Sequence, residues 1–327
     1  MPALSPRTLG QISLLSVCAV WGANFTAMRV MLDRLDPLDV VSLRTALAAL
    51  GFAALLVLTR QKLPRYSPAE WRLALLLGFL SVAVFNVATS VGQSRLPASL
   101  SSLIVSSSPI FTAVAAARLG VERPSKRTAA ALALATLGLV LLVFRGRGED
   151  VPLNAGTWLA AGILVVAPAA WGVYTVLNKP LLARYPAAPV AATGMISGAI
   201  MLLPLALLEP DRVGRILALD RAGWLAAAFS GLVSLVLGFM LFSWGLRALP
   251  PSEAAIPTYL TPVFAVAIAW AALGEEPTPG LLLGGALILA AVLVASRGGA
   301  KPVPEVATGD AELLAEPDVA SAPVERR

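Results

Sequence analysis

The sequence predicts an all-α integral membrane protein, with ten transmembrane helices arranged as two inverted-topology five-helix repeats. Three observations predict this class. First, 57% of the 327 residues are hydrophobic and 13% charged, with a mean hydropathy of +0.80, whereas a soluble domain carries about 25% charged residues. Second, the apolar runs between charge, Pro and Gly clusters have the length of roughly 20 residues that a helix needs to cross a bilayer. Third, segments of the first half recur in the second.

The spans follow in order. Residues 9–31 lie between Arg7 and Asp33 and contain "WGANFTAMR". Residues 38–59 begin after Asp36 and Pro37, end at Arg60, and carry Arg44 within the apolar run. After a loop holding Lys62 and Arg65 come residues 71–93, where Asn86, Thr89, Ser90 and Gln93 fall at i, i+3, i+4 and i+7 and so share one helical face. The fourth span, 97–117, includes "LPASLSSLIVSSSPIF" with Pro109 near its middle, and the fifth, 128–144, is flanked by Arg127 and Arg145. The sixth, 157–178, carries "WGVYTVLNK" to its end, and the seventh, 187–208, has Gly194 and Gly198 in the spacing of close helix packing. Residues 223–246 lie between Arg221 and Arg247. The ninth span, 252–273, opens on "LPPSEAAIPTYLTPVF" with Glu253, Pro257, Tyr259 and Pro262, and the tenth is 280–296. Residues 298–327, rich in Gly, Ala, Pro and acids, read as a disordered cytoplasmic tail.

The repeat fixes the organisation. Trp21 and Gly22 recur 150 residues later as Trp171 and Gly172, while Pro97, Pro109, Glu122 and Pro124 recur 153 residues later as Pro250, Pro262, Glu275 and Pro277. Two halves follow, 1–150 and 151–297. Five crossings per half make the second copy enter the membrane from the opposite side. With the N-terminus in the cytoplasm, sixteen lysines and arginines fall inside and seven outside, so both termini are expected in the cytoplasm of a multi-pass inner (plasma) membrane protein. The connection holding Arg212, Arg215 and Arg221 is the one poor fit. Arg7 followed by "ISLLSVCAV" has signal-peptide character, but cleavage would remove the first span and break the repeat.

Composition excludes several chemistries. One cysteine, Cys18, and no histidine leave no disulfide framework and no His/Cys metal cluster. Neither a cofactor nor a metal is expected. A GxSxG, HExxH or paired-aspartate motif is absent, so the chain reads as no enzyme. The net charge of +6 belongs to loop topology rather than to nucleic-acid binding. Inverted repeats with interrupted helices at matching places point instead to secondary transporters, whose site lies near the midplane between the halves. A channel or a membrane scaffold is the rival.

At these residues the chain resembles the EamA-type members of the drug/metabolite transporter superfamily. The likeness runs from about Leu9 to Ser296 through "WGANF", "SLRTALAAL", "LPASLSSLIVSSSPIFTAV", "AWGVYTV" and "SEAAIPTYLTPVFAVAIAWAALGEEPTPG". It implies a ten-helix carrier of small metabolites, often an exporter of amino acids or related compounds, working by alternating access. The first copy departs from the pattern, with "RLGVERP" where the second has "LGEEP". A sugar-phosphate or nucleotide-sugar carrier of the same superfamily is the alternative, and would need more basic groups than Arg44.

Candidate pathway residues follow. Asn86 and Gln93 either line a cavity or hold helices together by hydrogen bonds. Trp21 and Asn24, with Trp171, Tyr174 and Asn178 in the second copy, form faces suited to an amphipathic, amino-acid-like solute, or else belong to an interfacial aromatic belt. Arg44, matched by Gly194, either binds a substrate carboxylate, pairs with Asp39, Glu253 or a carbonyl, or snorkels outward. Glu253, matched by Leu100, either serves proton coupling or a substrate amine, or pairs at the interface with Arg247. Tyr259 sits in the interrupted ninth span, where Pro257 and Pro262, like Pro109 in the fourth, break the helix or merely kink it. Beyond solute and lipid bilayer, no partner is written in the chain, and its oligomeric state is open.

Overall fold

The computed structural model describes residues 5–96, 98–122, 125–145, 154–207, 211–273 and 279–296. The tail expected over 298–327, together with Pro97, Pro124, Glu275 and Pro277 of the repeat match, lies outside the described residues. Every described element is helical: α1 (Pro6–Leu32), α2 (Pro37–Leu58), α3 (Pro68–Gln93), α4 (Ala98–Val105), α5 (Ser108–Arg118), α6 (Lys126–Arg145), α7 (Ala155–Leu177), α8 (Lys179–Arg184), α9 (Ala187–Leu207), α10 (Arg212–Leu217), α11 (Arg221–Ala248), α12 (Pro251–Ala255), α13 (Thr261–Leu273) and α14 (Pro279–Ser296). Among the described residues, six helices are long and apolar enough to cross a membrane: α1, α2, α3, α7 with its continuation α8, the stretch Ala187–Pro204 of α9, and α11.

Helices α1 and α3 begin before their apolar runs because polar caps extend them. Ser5 accepts from the Thr8 amide with Pro6 in the first turn, and Ser67 forms a reciprocal capping box with Glu70 ahead of α3. Such caps satisfy amides that the first turn leaves without helical partners. Asn154 and Asp220 do the same for α7 and α11.

The distribution of side chains is that of a protein solvated by lipid. Leu50, Val57, Trp158 and Leu225 are exposed on the outside of the bundle, while Asn86, Gln93, Ser90 and Thr175 are completely buried. Polar groups inside and apolar groups outside is the arrangement expected where water does not reach the outer surface.

Glycines set how closely the helices approach, and they do so in matched pairs. A Cβ on Gly22 would stand 2.8 Å from Phe264 Cβ and 2.9 Å from Thr261 O, and one on Gly172 would stand 2.7 Å from the Phe111 backbone and Cβ. Phe111 and Phe264 are 153 residues apart, as are Gly92 and Gly245. A Cβ on Gly92 would press on Leu164 as one on Gly245 would press on Leu14. Thus α1 packs on α13 as α7 packs on α5, and α1 on α11 as α7 on α3.

Irregular backbone is paired in the same way. A wide, π-type stretch interrupts α3 at Phe79–Val84 and α11 at Phe229–Leu237. Side chains also reach its carbonyls: Asn86 Nδ2 donates to Ser81 O at 3.2 Å and Val82 O at 2.9 Å, and Trp21 Nε1 donates to Ser234 O at 3.2 Å. Ser81 and Ser234 are again 153 residues apart. The helix ahead of Pro109 breaks at Ser106 and Ser107, and the one ahead of Pro262 passes through a tight 3-10 segment, Ile256–Leu260, with Pro257 in its first turn. Ahead of Pro109 the α-helix is thus interrupted at Ser106 and Ser107, whereas around Pro257 and ahead of Pro262 the chain stays helical but tightens to 3-10 geometry.

Candidate functional site

The two breaks face a cavity near the middle of the bundle. Val105, Ser106 and Ser108 line it from the α4/α5 break and Thr258 and Thr261 from the matching break before α13. Helix α1 adds Trp21, Asn24 and Met28, α2 adds Arg44, α3 adds Phe85 and Thr89, α7 adds Trp171, and α11 adds Phe239. Counted together with the open space at its mouth it measures about 620 Å³. Arg44 is the one charged residue in this lining among the described residues.

Aromatic rings close the cavity on one side. Trp171 stacks edge-on against Trp21 at 5.2 Å and against Phe239 at 5.4 Å, and contacts Phe85 at 5.2 Å and Phe242 at 5.0 Å. Beyond this layer lies a smaller cavity, of about 260 Å³ counted the same way, lined by Tyr174, Asn178, Ser81 and Gly194. Phe239 borders both spaces.

Three polar atoms of the larger cavity are buried and make no hydrogen bond: Asn24 Oδ1, Arg44 Nε and Ser106 Oγ. Buried polar groups are normally satisfied, so these three stand out. Arg44 Nη1 donates to Met28 Sδ at 2.7 Å, a weak acceptor for a guanidinium with five N–H groups.

The predicted residues therefore divide. Trp21, Asn24, Arg44 and Trp171 come together in the larger cavity, and Tyr174 and Asn178 sit in the smaller one, where Asn178 Nδ2 donates to Tyr174 Oη at 3.1 Å. Asn86 and Gln93 line neither. Asn86 supports the irregular turn of α3, and Gln93 Nε2 donates to Phe25 O at 2.9 Å, tying α3 to α1. Tyr259, buried in the 3-10 segment, shares a 3.1 Å hydrogen bond with Thr136 of α6. Of the polar face on α3 only Thr89 lines the larger cavity, and Phe85, Ser234, Phe239, Thr258 and Thr261 line it without having been singled out for it. Their signal was present in the repeat: Ser108 and Thr261 are matched positions, as are Val105 and Thr258.

The ends of the bundle are held by polar contacts. At the end that carries the N-terminus, Arg7 Nη2 meets Glu253 Oε2 at 2.7 Å, Arg184 meets Glu70 at 2.8 Å, and Glu122 Oε1 accepts from the Ser252 amide at 2.9 Å. Lys179 Nζ caps the carbonyl end of α11, donating to Leu246, Arg247 and Leu249, the arrangement favoured by the helix dipole. Arg247 was one partner the sequence suggested for Glu253, and the bond to Arg7 joins the start of α1 to α12.

At the opposite end Asp39, fully buried, accepts from Arg212 Nε at 2.6 Å and Arg215 Nε at 2.7 Å. These two arginines belong to the connection that fitted the charge rule poorly, and here they neutralise a buried carboxylate. Nearby, Arg34 forms a two-bonded pair with Asp220. Its guanidinium, with help from the Gly223 amide, holds the Asp220 carboxyl below the usual aspartate range.

Comparison with known proteins gives consistent findings. The model of the EamA-like transporter family matches residues 8–144 and 158–297, one copy in each half. A probable terminal-alkyne amino-acid exporter of Streptantibioticus cattleyicolor is 30% identical over 287 residues, covering 87% of this chain and 92% of the relative. A probable amino-acid metabolite efflux pump of Salmonella typhimurium is 28% identical over 299 residues, covering 88% and 94%. A solved crystal structure with 18% sequence identity superposes with a TM-score of 0.72, covering 88% of this chain and 98% of the other, and so shares its fold.

Proposed function

Because the chain belongs to the EamA-like transporter family and is a multi-pass membrane transporter, we propose that it is a secondary carrier exporting amino acids or related metabolites across the inner membrane by alternating access. The observation that carries this is the cavity itself, which sits between two helix breaks 153 residues apart and is bounded by an aromatic layer. Inverted repeats that meet at interrupted helices characterise such carriers. The matched glycine contacts, matched irregular turns and matched breaks support ten spans in two inverted five-span halves.

In this mechanism Trp171, Trp21 and Phe239 separate the larger cavity from the smaller one that Tyr174 and Asn178 line. Movement of these rings, coupled to rocking of one half on the other, passes the solute between them. The contacts of Arg7 with Glu253, Lys179 with the end of α11 and Arg184 with Glu70 form the gate on the cytoplasmic side, in accord with the excess of basic residues at that end. A sugar phosphate fits poorly, since one guanidinium does not balance a dianion in a buried site.

Counterflow in proteoliposomes tests the proposal. Labelled phenylalanine should enter vesicles preloaded with unlabelled amino acid, saturably, and Trp171→Ala should abolish the exchange while the protein stays folded. Large, unsaturable ion flux without counterflow would refute a carrier in favour of a channel.

A further inference from the structure

We propose that Arg44 forms a carboxylate-binding subsite at one end of the larger cavity, so that the cargo is an apolar or aromatic monocarboxylate whose amino group is dispensable; this rests on the carrier function proposed above. Arg44 is 2% exposed and remains protonated in proteins. Its hydrogen bond among the described residues goes to the thioether of Met28, and Nε has none. The carboxylates nearest it in the sequence-based expectation are engaged elsewhere, Asp39 by Arg212 and Arg215 and Glu253 by Arg7. A buried cation without a counter-charge is strongly unfavourable. A carboxylate in the cavity removes that penalty and accepts two parallel bonds from the guanidinium.

Asn24 lies one turn from Met28 on α1 and lines the same space, where its unpartnered amide oxygen can accept only from a donor on the solute and not from the carboxylate. The position matching Arg44 in the second half is Gly194, so the charge sits on one side of an otherwise paired cavity and orients the solute. Toward the aromatic layer the lining turns to Trp21, Phe85, Trp171 and Phe239, which suits an apolar side chain. Among the described residues no carboxylate lines the cavity to pair with an ammonium group. Ser106 Oγ and Asn24 Oδ1 offer it only neutral hydrogen bonds, which contribute less than charge-assisted ones.

The test compares binding of L-phenylalanine, 3-phenylpropanoate, which lacks the amine, and 2-phenylethylamine, which lacks the carboxylate, to the purified full chain by thermal shift and tryptophan fluorescence. Expected are a loss of at most about tenfold for 3-phenylpropanoate and of about ten- to a hundredfold for 2-phenylethylamine, from the difference between a neutral and a charge-assisted hydrogen bond. Arg44→Gln should erase that difference and Arg44→Lys keep part of it. If Arg44→Gln does not fold, the wild-type comparison decides alone. The subsite is overturned if 2-phenylethylamine binds as tightly as 3-phenylpropanoate, if Arg44→Gln weakens all three equally, or if none binds. Phenylalanine counterflow on the same preparation separates the two proposals: binding preference without counterflow overturns the carrier and leaves the subsite, and counterflow without the preference does the reverse.

Discussion

Replacing Asp39 by Ala tests whether the connection after α9 is clamped to the start of α2. Asp39 is 0% exposed and bonds Arg212, itself 4% exposed, at 2.6 Å, and Arg215 at 2.7 and 3.1 Å. Removing one partner of a buried ion pair costs about 3–5 kcal/mol, because the other charge stays desolvated. The lower end of that range applies, since Arg215 is 34% exposed and its charge is screened by solvent. The partial loss is also visible in the geometry: Arg212 retains a 3.5 Å contact to Ser42. Unfolding in mixed micelles with increasing dodecyl sulfate gives the free-energy change. Asp39→Ala should lower stability by about 3 kcal/mol, and Arg212→Ala combined with Asp39→Ala should cost less than the two single changes together, as coupled residues do. A change under about 0.5 kcal/mol for Asp39→Ala, the range of ordinary surface substitutions, would refute the clamp. Arg44 follows Asp39 by little more than one turn of α2, so the same variant should also weaken solute binding.

Gly172→Ala and Gly22→Ala should destabilise by similar amounts, about 1–3 kcal/mol each from overpacking against neighbouring backbone; unequal losses in the micelle assay would speak against matched halves. Asn86→Ala should reduce stability by about 1–3 kcal/mol, because Ser81 and Val82 carbonyls lose a buried donor, while the affinity of the surviving folded fraction for solute stays at the wild-type value. The Asp220 carboxyl, held low in the folded protein by Arg34, contributes stability that is fully present above its unfolded pKa of about 3.9. That stability is lost as pH falls through the lower folded value, so melting curves of wild type and Asp220→Asn should converge below about pH 4 and stay separate at pH 6.

The candidate site was partly legible. Trp21 and Trp171 announced themselves because they recur at one offset in apolar runs, and Asn24 and Arg44 because polar groups in such runs are costly. The breaks before Pro109 and Pro262 were legible for the same reason, a proline being unable to continue a helix. Asn86 and Gln93 were ambiguous because their helical face is local while their role depends on what lies opposite. Asn86 turns back onto its own helix, and Gln93 reaches a carbonyl 68 residues away.

Sequence by itself therefore determined the membrane class, the positions of the apolar helices and the repeat, since hydropathy, helical period and offset are properties of consecutive residues. Tertiary structure alone decided which buried polar groups were already satisfied and which were left facing the cavity. Arg7 finds Glu253 at a separation of 246 residues, and Asp39 finds Arg212 at 173, leaving Arg44 with a thioether. The partner of a buried charge is chosen by how the two halves pack, and no spacing along the chain encodes it.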